Sequence, residues 1–61
     1  MTIRFTFDRA TKNTIKFKEV LDSELDTAKI GSLYVQKSAL KEIGWNEHKG
    51  LILSLEAQAA E

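Results

Sequence analysis

The chain has 61 residues, enough for one domain spanning 1–61, and a chain this short buries only about 60% of the surface that its unfolded form exposes. It has no cysteine and a single histidine, His48, which excludes a disulfide framework and a multi-histidine metal site within one chain, so a homodimer is the expected source of the missing stability. Nine basic residues balance nine acidic ones, yet residues 1–20 hold Arg4, Arg9, Lys12, Lys16 and Lys18 against Asp8 and Glu19, a net of +3 that leaves −3 for the remainder.

At the amino end, Arg4, Asp8 and Arg9 interrupt the apolar residues before they reach the length of a secretion signal. No apolar run approaches the roughly 20 residues that cross a bilayer, and a cytoplasmic location away from the membrane is expected. Ile3, Phe5 and Phe7 alternate with Arg4, Thr6 and Asp8, and Ile15 and Phe17 alternate with Lys16 and Lys18. The period of two predicts a hairpin over residues 2–20, joined through residues 9–13.

Shared apolar faces restrict its register. Setting Phe7 against Ile15 places Arg4 across from Lys18, and setting Phe5 against Ile15 places Arg4 across from Lys16; like charges so placed cost a few tenths to about 1 kcal/mol. Phe7 against Phe17 pairs Asp8 with Lys16 instead, with a longer loop. The cations then read in two ways. Arg4, Lys16 and Lys18, with Arg9 and Lys12 at the tip, make a face for phosphate, or they are the ordinary charges that keep a strand surface soluble and its edges unpaired.

Residues 21–29, LDSELDTAK, have no sustained period and form a polar connector, in which Leu21 and Leu25 are placed for one helical turn against the sheet. Asp22, Glu24 and Asp26 alternate like the start of a calcium loop, but Thr27 stands where the sharp-turn glycine belongs and Leu33 where the bidentate glutamate belongs. No metal site is expected.

The stretch Gly31–Glu56, GSLYVQKSALKEIGWNEHKGLILSLE, changes period twice. Leu33 and Val35 alternate with Ser32, Tyr34 and Gln36, predicting a strand over 30–36. Ala39, Leu40 and Ile43 recur at helical spacing, predicting a helix over 38–43 with Ser38 as its cap, Gly44 as its left-handed stop and Trp45 folding back on the last turn. After a polar reversal at Asn46–Gly50, Leu51, Leu53 and Leu55 alternate with Ile52, Ser54 and Glu56, predicting a strand over 50–56. The tail from residue 57 is unpatterned and is expected to fray.

Gly31, Leu33, Val35, Leu40, Ile43, Gly44, Trp45, Leu51, Leu53 and Leu55 fall without a gap on the pattern of the AbrB/MazE family of swapped-hairpin transcription factors, which this stretch resembles. Ser32 replaces the family's basic residue, Gln36 its proline, and no second glycine-rich hairpin follows Glu56. The resemblance covers less than half of the chain and implies a swapped-hairpin dimer that binds duplex DNA. TKNTIKF and IGSLYVQKSAL also resemble segments of small bacterial proteins, a resemblance that implies no function.

No catalytic constellation emerges. His48 sits in the polar reversal between Glu47 and Lys49, where a solvated side chain is expected; Ser23, Ser32, Ser38 and Ser54 have no base and orienting group placed by the sequence; Gly31, Gly44 and Gly50 are too dispersed to cradle a phosphate. Tyr34 and Trp45 are each able to stack on a base if exposed, but their neighbours favour packing in the core or an interface.

These readings combine into an α+β domain dominated by antiparallel strands: hairpin, strand, short helix, strand. Its expected core is Phe5, Phe7, Ile15, Phe17, Leu33, Val35, Leu40, Ile43, Trp45, Leu51, Leu53 and Leu55. The expected function is a DNA-binding or antitoxin-type regulator, not an enzyme and without cofactor, that contacts phosphates through Arg4, Arg9, Lys12, Lys16, Lys18, Lys37 and Lys41. The alternative is a module that pairs with another protein through a sheet edge.

Overall fold

The alternating residues of the hairpin become the centre of the molecule. In the computed structural model, which describes residues 1–23 and 25–59, the elements are β1 (Thr2–Ala10), β2 (Thr14–Glu19), β3 (Ser32–Gln36), α1 (Lys37–Glu42) and β4 (Leu51–Ser54). The four strands form one curled antiparallel sheet in the order β3-β2-β1-β4. The α+β composition is as expected. β3 and β4 occupy opposite edges, and the segment containing α1 carries the chain from one edge to the other.

Phe7 faces Phe17, which takes Arg4 away from Lys16 and Lys18, but the place across from Lys16 falls to Arg9 and not to Asp8 as that register predicts; Asp8 meets Lys16 through its side chain alone, at 3.4 Å. The expected longer loop is replaced by a bulge: the ladder steps from Phe7↔Phe17 to Arg9↔Lys16 and Ala10↔Ile15, with Asp8 as the extra residue. β1 therefore runs to Ala10, and the turn closes where the Thr11 N–H donates to the Thr14 carbonyl at 2.8 Å.

One face of the sheet is apolar. Ile3, Phe5, Ile15 and Phe17 are buried with Leu40 of α1, and Phe7, Leu33, Val35, Trp45, Leu51 and Leu53 pack against them. Trp45 lies edge-on to Phe17, with ring centroids 5.2 Å apart, and stacks on Phe7 at 6.2 Å; such pairs add about 0.5–1.5 kcal/mol beyond the area they bury. Its indole N–H donates to the Lys49 carbonyl at 3.0 Å, which satisfies the ring's polar edge. Ile3 belongs to the core although it was not among the expected core residues: Leu53 of β4 pairs beside it.

Two expected core residues do not. Ile43 is 66% exposed and Leu55 49% exposed. α1 starts one residue earlier than predicted and ends at Glu42, so Ile43 lies outside the helix, at its carboxyl cap. There the Trp45 N–H donates to the Leu40 carbonyl at 3.0 Å and the Gly44 N–H to the Lys41 carbonyl at 3.2 Å. Gly44, at φ 72°, supplies the left-handed residue that this pair of bonds requires. Ser38 is not the cap; Gln36 is, without a side-chain bond, and the Lys37 N–H donates to the Asn13 carbonyl at 2.9 Å. The last strand stops at Ser54 rather than 56, although Leu55 still exchanges backbone bonds with Met1.

The connector forms no helical turn against the sheet among its described residues; Leu21 and Leu25 are 42% and 95% exposed. It is held by Glu19, whose carboxylate accepts the N–H groups of Lys29, Ile30 and Gly31 at 2.8–3.2 Å. With these amides so engaged and Gly31 at φ 89°, β3 begins at Ser32 and not at residue 30. In the calcium-like stretch Asp22 turns to Arg4 and Asp26 accepts the Ser23 N–H, while Glu24 lies outside the described residues. Of the tail predicted to fray, residues 57–59 carry no assigned element, and Ala60 and Glu61 lie outside the described residues.

Candidate functional site

The residues that alternate with the core project from the opposite, outer face, and the register stacks them in rows across the strands. One row runs Tyr34, Lys16 and the bulge pair Asp8 and Arg9; the next runs Ser32, Lys18 and Thr6; the third runs Val20, Arg4 and Ile52. Four of the seven predicted contact residues, Arg4, Arg9, Lys16 and Lys18, thus share one face.

Two of the four cations are engaged by acids. Lys16, half-buried, has its Nζ 3.4 Å from Asp8 Oδ2. Arg4 Nη2 donates to Asp22 Oδ1 at 3.0 Å with both side chains largely exposed, a pair that contributes no more than about 1 kcal/mol. Among the described residues no ion pair engages Arg9 or Lys18, nor Lys12, Lys37 or Lys41. Lys12 sits in the hairpin turn, and the bond from Lys37 to Asn13 brings the start of α1 against that same turn; α1 itself lies on the apolar side of the sheet, where its Leu40 is buried. Lys41 lies one turn further along α1 and is the member least connected to the others.

Tyr34, expected to pack in the core or an interface, is not in the core. It is 55% exposed and stands on the outer face, with Lys16 Nζ 6.0 Å from its ring centroid, a distance at the limit of cation–π attraction. Its alternation with Leu33 and Val35, which pack on the inner face, was the signal that places it outward. At the other end of the face a groove of about 420 Å³ is lined by Arg4, Thr6, Val20, Gly50 and Ile52 among others. Ile52 is 69% exposed beside it.

Elsewhere the titratable groups are structural or solvated. Backbone N–H groups, foremost that of Ile30 and then that of Lys29, hold the Glu19 carboxyl below its usual range. His48 is exposed, and its N–H donates to Asn46 Oδ1 at 2.9 Å. Among the described residues no three His, Cys, Asp or Glu side chains converge as metal ligands, and no helix is long and apolar enough to cross a membrane. What the outer face offers chemically is a set of exposed donors of positive charge, hydroxyls from Thr2, Thr6 and Thr14, and one aromatic ring. Comparison with protein-family models, with curated proteins and with solved structures found no match.

Proposed function

We propose that this chain is a nucleic-acid-binding module of DNA-binding or antitoxin type, and not an enzyme, whose outer sheet face and hairpin tip contact phosphates. The observation that carries the proposal is sidedness. Arg4, Arg9, Lys16 and Lys18 lie on one face with Lys12 in the turn at its end, and among the described residues the acids beside them are Asp8 and Asp22. Glu42, Glu47 and Glu56 fall on α1, in the reversal and after β4. The AbrB/MazE resemblance of residues 31–56 also implies a DNA partner, there a duplex, whereas the cations of the outer face stand on β1 and β2, outside that stretch. Phosphate contacts position a protein without reading sequence, so the proposal names no operator.

Binding to labelled DNA, followed by fluorescence anisotropy, tests it. With about four phosphates neutralised, the affinity falls on the order of 100-fold between 50 and 200 mM salt. Absence of salt-dependent binding at low ionic strength overturns the reading.

A second reading, pairing with another protein or a second copy through a sheet edge, is favoured by Ile52, exposed on edge strand β4 beside the groove. If β4 is the surface of a homodimer, Ile52→Lys shifts the sedimentation coefficient from dimer to monomer at micromolar concentration. A wild-type chain that sediments as a monomer ends the homodimer form of that reading.

A further inference from the structure

We infer that the nucleic acid recognised by the outer face is single-stranded, with one base stacked on Tyr34 and the adjoining phosphates at Lys16, Lys18 and Arg9. This rests on the phosphate-binding reading above and names the class of strand. The first support is Tyr34 itself. A tyrosine more than half exposed in the middle of edge strand β3, with a lysine ammonium 6.0 Å from its ring centroid, presents an aromatic side chain to solvent at the margin of a cationic surface. Every base has a π-face that such a ring accepts, but in a duplex those faces are already stacked on their neighbours.

The second support is width. A two-stranded ribbon enters a major groove about 12 Å wide, whereas four strands at about 4.8 Å spacing place the outer pair roughly 14 Å apart before side chains are counted. The rows Tyr34–Lys16–Arg9 and Ser32–Lys18–Thr6 run across three of these strands, β3, β2 and β1, so a ligand that uses them lies over the sheet and not around a protruding edge. A flexible strand fits that surface; a stiff double helix reaches it along one backbone at most. The third support is the charge pattern. Lys18 and Arg9 are unpaired among the described residues and flank Lys16, whose partner Asp8 is the one acid inside the proposed track.

The test uses the full chain with a fluorescein-labelled dT12 oligonucleotide and the same oligonucleotide annealed to its complement, titrated by anisotropy at low salt. dT12 binds roughly 5- to 150-fold more tightly than the duplex, the value of one stacked base. Tyr34→Ala removes that advantage, Tyr34→Phe keeps it, and Tyr34→Leu, which retains bulk but no ring, loses it; thermal melts establish that each variant is folded. Asp8→Asn strengthens dT12 binding, and Lys18→Ala lowers the salt slope by about 0.7. Duplex bound as tightly as dT12, or dT12 affinity unchanged in Tyr34→Ala, overturns the single-strand inference while leaving phosphate binding intact. Failure of both oligonucleotides to bind overturns the two together.

Discussion

The β1–β2 hairpin and the strand–helix–strand stretch that follows contribute unequally to the fold. The hairpin provides Ile3, Phe5, Ile15 and Phe17, four of the five buried core residues, while Gly31–Glu56 provides only Leu40. The second stretch nevertheless has the more varied pattern, with two strands, a helix and a glycine stop. The difference follows from position in the sheet. β1 and β2 have neighbours on both sides, whereas β3 and β4 are edges and their leucines remain partly open. Distinctive local signals mark where the chain turns; burial depends on how many neighbours a strand acquires.

Substitutions sharpen this contrast. Phe17→Ala, at a fully enclosed position, costs about 3–5 kcal/mol and abolishes cooperative unfolding in a domain this small, as read by urea denaturation. Leu33→Ala, on the edge strand facing Phe17, costs less than Phe17→Ala because its side chain is only partly buried; the reverse order in the same experiment breaks the comparison. Gly44→Ala meets no atom within 4 Å and costs only the left-handed backbone, about 1–2 kcal/mol by thermal melting.

Glu19 joins the two regions, and its effect is smaller and depends on pH. Its carboxyl titrates below the ordinary value of 4.5 in the folded chain, so the stabilisation is complete above that value and is lost as pH falls through the lower, folded pKa. Glu19→Gln should therefore lower the urea midpoint at neutral pH and match the wild type in strong acid. In the variant, amide exchange should accelerate at Lys29, Ile30 and Gly31. The smallest expected effect on stability is that of Lys18→Ala on the outer face, within about 0.5 kcal/mol.

Much of the hairpin is legible in the sequence because a period of two sets which face a residue occupies; the bulge that puts Arg9 and not Asp8 across from Lys16 is not. Gly44 followed by Trp45 located the end of the helix for a similar local reason. Sheet order was not legible: alternation sorts faces without saying which strands are neighbours, so Ile3 was overlooked and Leu55 overvalued. Ile43 was assigned to a helical face that ends one residue before it. For the candidate site, outward Arg4, Lys16 and Lys18 follow from the period, but Arg9 has the parity of Phe5 and Phe7 and faces outward through the bulge, and the partner of Arg4 comes from the connector, eighteen residues away. Tyr34 lies on the face that its parity in the strand gives it, opposite Leu33 and Val35.

The bulge at Asp8 makes β1 tolerant of a change in length at one point. Without that residue, Phe7, Arg9 and Ala10 would meet Phe17, Lys16 and Ile15 in unbroken succession, the same partners they have now. Excising Thr6 and closing the bulge would leave Arg9 and Ala10 with their partners but move Phe7 across from Lys18, into water, and Asp8 across from Phe17. Asp8 is thus a spare link, and the chain carries it at the spot where its carboxylate lies beside Lys16.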